Sequence, residues 1–182
     1  MSRVSRWISR SKSTVMNRES GAGENEDMYR LQAVIVTESA CRELIASVRS
    51  ARLVPLDRKL SLLPVTDGLF GGVVLAEADE FWEVPEEIAR VLAPCSAQGA
   101  VAYVEAEYFG GAGTQCAQAW DGGQTVLGPL RQAEDDPDPL AGRPISRVLR
   151  RLGVVKGDHF DEFAAVGLGR HRDTEDWLSD AT

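Results

Sequence analysis

Apolar and polar positions alternate from Val101 to Phe109. Ala102, Val104, Ala106 and Tyr108 fall on one side and Tyr103, Glu105 and Glu107 on the other, as the two-residue side-chain period of a half-buried strand requires. Glycines then punctuate the chain twice. Gly110 to Gly113 supplies residues that tolerate positive φ, and Asp121-Gly122-Gly123 is a short-hairpin signal between Trp120 and the apolar pair Val126-Leu127. This pattern predicts an antiparallel three-stranded meander over Val101 to Pro129.

Upstream, Tyr29 to Val36 reads as a strand. Thr37 is placed as a helix N-cap, and Cys41, Leu44, Ile45 and Val48 recur at i, i+3, i+4 and i+7, which predicts an apolar stripe on one helix. Arg52 to Val54 and Leu60 to Val65 are short strand candidates around the turn-like Pro55-Leu56-Asp57. Asp67 can cap a short helix through Leu75. Pro85, followed by Glu86 and Glu87, starts a helix that buries Ile88, Val91 and Leu92 and should stop near Ala93-Pro94.

Downstream, Ala133 to Arg143 combines four acids with two prolines, the composition of a solvated, mobile loop. Pro144 at a first turn, Ile145, Val148, Leu149 and Leu152 at helical spacing, and Gly153 as a terminator predict a helix over Pro144 to Leu152 with Arg147, Arg150 and Arg151 outermost. A second helix, capped by Asp158, is expected from His159 to about Val166, burying Phe160 and Phe163. The sum is an α+β fold: a mainly antiparallel sheet with helices packed on one face and at the C-terminus.

At 182 residues the chain has room for one domain with a real core. Residues 1–27 read as a basic, disordered arm, 28–178 as a single α+β domain and 179–182 as a tail. Folding character switches on at Met28, which makes Met28 the expected start in the cell. In the arm, Val4, Trp7 and Ile8 share a helical face beside Arg3, Arg6 and Arg10, compatible with weak contact to an anionic surface, against the alternative of a plain disordered tail.

Charge sharpens the picture. The first 18 residues hold five basic side chains and no acid; removing those five from the 20 basic residues leaves 15 against 28 acids, a formal charge of −13 for the rest of the chain. Such a body repels nucleic-acid phosphates and favours basic partners. No apolar run reaches the roughly 18 to 20 residues that span a bilayer, and the arm lacks the apolar core of a secretory signal, so the expected location is the cytoplasm. Cys41, Cys95 and Cys116 are odd in number and widely spaced, which suits reduced, buried thiols; with only His159 and His171 available, zinc is not expected and no cofactor is implied.

Candidate chemistry is sparse. GxxxxGK[ST] and GxSxG are absent, and the glycine runs lie between strands, where they read as turns and not as phosphate cradles. Glu105 and Glu107 sit about 7 Å apart on one strand face, near enough for joint acid and base work; a solvated sheet face or a contact with a basic protein explains them as well. Asp158 to Arg172 gathers both histidines, three acids and two arginines, but helix capping and the helix dipole account for most of them. The candidate contacts for a basic partner are therefore Glu105, Glu107, Glu134, Asp135, Asp136 and Asp138.

Two blocks carry a resemblance: AYVEAEYFGGAGTQCAQAWDGG from Ala102 to Gly123, and ISRVLRRLGV through DHFDEFAAVGLGRHRDTEDWL from Ile145 to Leu178. In general character, over residues 28 to 178, the chain resembles small bacterial proteins that look like immunity proteins of toxin systems. That resemblance implies a cytoplasmic, acidic, single-domain α+β protein that works by stoichiometric binding, and it carries over no catalytic residue. The competing expectation is a small hydrolase or ligand-binding protein in which His159 or His171 converges with carboxylates in a cleft.

Overall fold

A computed structural model describes residues 28–67, 69 and 84–181. The elements run β1 (Met28–Thr37), α1 (Glu38–Ser47), β2 (Val54–Pro55), β3 (Leu60–Pro64), α2 (Glu86–Cys95), β4 (Val101–Phe109), β5 (Ala112–Asp121), β6 (Gln124–Gln132), α3 (Pro144–Arg151) and α4 (Glu162–Ala165). The expectations for residues 1–27 and for most of the helix from Asp67 to Leu75 fall outside the described residues.

The strands form one six-stranded sheet in the order β2-β3-β1-β4-β5-β6, with every pairing antiparallel. The fold is α+β, and the meander is β4-β5-β6. Full-length pairing of β1 with β4, from Met28 opposite Phe109 to Val36 opposite Val101, joins the meander to the amino-terminal half.

Both faces of the sheet are packed. On one face α1 and α2 cover Val34, Val36, Leu63, Val101, Tyr103 and Trp120. On the other, α3, α4 and the C-terminal segment bury Leu31, Ile35, Leu62, Ala102, Val104 and Trp177. Alternation along β4 therefore does not separate core from solvent. Tyr103 is fully buried and Glu105 is only 8% exposed, because the helices roof the side of the strand that the sequence pattern marks as polar.

Three local corrections follow from packing. Thr37 sits at the N-cap of α1 as expected, yet its hydroxyl donates to the Ala100 carbonyl at 3.0 Å and not to the helix, tying β1 to the entry of β4. The buried stripe of α1 is Ala40 and Leu44 with Val48 just beyond, while Ile45 is 50% exposed: the helix meets the sheet along i, i+4 positions, one residue round from the expected face. Helix α2 runs through Pro94 to Cys95, one turn ahead of Gly99, and the buried Ser96 then ties it to the β5-β6 hairpin through the amides of Gly122 and Gly123.

At the C-terminus, α3 matches its expected span to within a residue. The next helix is shorter than expected: Asp161, not Asp158, caps it by accepting from the Ala164 amide at 2.8 Å, and Phe160 lies outside it at 90% exposure. Beyond, the chain returns to the sheet. Arg30 donates its amide to the Arg172 carbonyl at 2.8 Å and Gln32 to Thr174 Oγ1 at 2.9 Å, so the C-terminal segment occupies the edge of β1 that β3 leaves open.

Candidate functional site

Six carboxylates are the candidate contacts for a basic partner, and the fold places them in two separate groups. Glu105 and Glu107 project from β4 on the side of α1 and α2, whereas their neighbour Tyr108 projects to the opposite side and meets Arg143, at the end of the acidic loop, with Arg143 Nη1 3.1 Å from its hydroxyl. The loop and the strand carboxylates therefore open onto different faces of the sheet.

Glu105 is a structural group. It accepts hydrogen bonds from the Tyr103 hydroxyl and from Gln32 Nε2, the latter at 3.3 Å, beside a small cavity of about 20 Å³. Burial pushes its carboxyl above the ordinary glutamate range, with the two hydrogen bonds working the other way. The Tyr103 phenol is raised too, first by burial and then by the adjacent carboxylate. This removes Glu105 from any accessible contact set. Glu107 is half-exposed and lies 3.2 Å from Arg30 across the β1-β4 pair.

The loop from Ala133 to Arg143 is exposed as its composition requires, and two of its acids brace it from within. Asp138 accepts from Arg143 Nε at 2.9 Å and from Gln132 Nε2 at 3.2 Å, and these partners, Arg143 first, hold its carboxyl below the usual aspartate range. Asp136 accepts from the Ala133 amide at 2.8 Å, closing the first turn. Glu134 and Asp135 point into solvent with no partner among the described residues. The hydrogen-bonded base thus presents two exposed carboxylates.

Sequence reasoning missed the loop's most exposed apolar residue. Leu140 is fully solvent-exposed, and Phe160 stands exposed on the facing segment, across a groove of about 330 Å³. The signal for Leu140 was present: a leucine inside an acidic, proline-flanked loop belongs to no periodic pattern. Phe160 was hidden by its apparent place on a helical face.

The histidines do not converge with the strand carboxylates. His159 is exposed in the turn before α4. His171 packs edge-on against Trp177, with ring centres 4.9 Å apart, and its Nε2 lies 2.8 Å from Asp180 Oδ2, an arrangement that fastens the C-terminal turn Glu175–Asp180 and lowers the pKa of Asp180. Cys95 and Cys116 are buried, and burial raises the Cys95 thiol. Among the described residues no three His, Cys, Asp or Glu side chains are grouped as a metal ion would require, and no helix is long and apolar enough to cross a membrane. Comparison with protein-family models, with curated proteins and with solved structures finds no match.

Proposed function

We propose that this chain is a non-catalytic protein-binding module of the cytoplasm, of the kind that neutralises a bacterial toxin stoichiometrically, and that it docks a basic partner through the loop Glu134 to Asp138. One observation carries the reading. In a body with a formal charge of −13, Glu134 and Asp135 stand exposed, with no partner among the described residues, on a loop whose base is tied by Asp138 and Arg143. Pre-organised charge of this kind speeds encounter with an oppositely charged surface at little ordering cost.

The histidine-based alternative needs a cleft in which an imidazole meets catalytic carboxylates; His159 is instead exposed in a turn, and the carboxylate beside His171, Asp180, serves to fasten the C-terminal turn. The docking reading is tested by affinity capture from the native cell followed by binding kinetics on the isolated pair. A basic partner, a one-to-one complex, slower association in high salt and a further loss on reversing Glu134 and Asp135 to Lys are the expected results. Salt-insensitive association, unchanged by that reversal, would count against it.

A further inference from the structure

The groove beside the acidic loop is built from three parts. One lip is the segment 138–143, carrying Leu140; the other is 156–162, carrying Phe160; Ser146 and Arg150 of α3 form the floor. Arg150 spans the two lips. Its Nη2 donates to the Ala141 carbonyl in the first lip, and its Nε lies 3.5 Å from Glu162 Oε1 in the second and 3.4 Å from the Ser146 carbonyl beneath. The approach to the first lip is close enough that a Cβ on Gly142 would stand 2.7 Å from Arg150 Nη2. Arg150 therefore fixes the width of the groove.

Charge inside the groove is balanced. Its lining holds Arg143, Arg150 and Lys156 against Asp138, Asp161 and Glu162, and the pairs Arg143–Asp138 and Arg150–Glu162 are already made. Glu134 and Asp135, exposed in the same loop that supplies Asp138 and Leu140 to the lining, add two negative charges with no partner among the described residues. A balanced interior between two exposed apolar lips suits a neutral, apolar side chain, and the acids alongside select cationic neighbours for it. Leu140 at 109% and Phe160 at 90% relative exposure gain most from being covered, since burying apolar surface is favourable in proportion to area.

We propose that this groove receives one large apolar side chain of the partner, clamped between Leu140 and Phe160, with lysines or arginines flanking it along Glu134 and Asp135. The assignment rests on the reading of the chain as a protein-binding module and names the chemistry that module recognises. Arg150 is a positioning residue here, acting through both lips.

The test uses the full chain and a displayed library of random dodecapeptides. Enriched sequences are expected to combine one aromatic or large aliphatic residue with at least two nearby Lys or Arg. Synthetic versions of them should bind the Leu140→Ser/Phe160→Ser double variant at least about tenfold more weakly, with the thermal midpoint unchanged because both side chains are exposed. Arg150→Ala should weaken the same peptides, whereas Arg151→Ala, whose partner is Asp121, should not. Enriched peptides without an apolar residue, an empty selection, or equal binding to the double variant would overturn the groove assignment. Charge reversal at Glu134 and Asp135 reports on the underlying reading separately. If it weakens the peptides while the serine variants do not, acidic docking stands and the groove falls; if neither acts, both fall.

Discussion

The phenol of Tyr103 donates a hydrogen bond to the carboxylate of Glu105, two residues along the same face of β4. Because the roof of α1 and α2 keeps water from this pair, burial favours the protonated carboxyl in the folded state. For an acid whose folded pKa is raised, the stabilising contribution is complete below the unfolded value of about 4.3 and is lost as pH rises through the folded value. Glu105→Gln keeps an oxygen for Tyr103 and removes the charge. Its melting temperature should exceed that of the native chain at pH 8, and the gap should close toward pH 4; thermal unfolding followed by circular dichroism across that range measures it. A constant gap would mean that Glu105 does not titrate differently on folding.

Glycines of the β4-β5 hairpin, one in its turn and one at the start of β5, do two different jobs. Gly111 has φ +90° with open space around its missing Cβ, so Gly111→Ala should cost only the left-handed backbone penalty of about 1 to 2 kcal/mol. At Gly113 a Cβ would lie 2.0 Å from the Glu107 carbonyl oxygen and 2.7 Å from the Tyr108 Cα, both backbone atoms that the strand pairing holds in place. Gly113→Ala should therefore be the worse of the two, in the range of about 2 to 4 kcal/mol, read from urea denaturation midpoints.

The turn between β2 and β3 is closed by Leu56 donating to Leu60 at 2.9 Å and places Arg58 and Lys59 in the left-handed region, with φ 61° and 60°. Neither is a residue that adopts this conformation cheaply. Lys59 is exposed, so Lys59→Gly relieves backbone strain without removing packing and should raise stability by about 0.5 to 1 kcal/mol after the entropic cost of glycine. Equilibrium unfolding of the single variant checks the sign.

Trp177 is fully buried in the core formed with α3 and α4, under the Arg170 guanidinium 5.1 Å above its ring, while its indole Nε1 finds no partner among the described residues. Trp177→Ala should cost about 3 to 5 kcal/mol by opening a cavity in this core. Trp177→Phe retains much of the contact and discards the unsatisfied donor, so its cost should be less than half as large. Hydrogen exchange at the Arg30 and Gln32 amides should quicken in the alanine variant, because the segment that covers them, from Arg172 to Thr174, is anchored by this side chain.

What the sequence by itself determined is everything with a strong local period or stop: the meander, the strand before Thr37, and helix α3 with proline at its start and glycine past its end. Alternation and turn chemistry act within a few residues, so they survive any tertiary context. Which side of a strand meets water is a different kind of fact. Tyr103, Glu105 and Glu107 looked like one polar face, and only the docking of α1 and α2 buries the first two and leaves the third outside; the same non-local packing turns Ile45 to solvent, strips Phe160 of its helix and sets it opposite Leu140. Burial depends on which distant segments pack together, and that is decided by the whole sheet, through contacts such as Gln32 to Glu105 and Arg30 to Arg172 that join residues far apart in the chain.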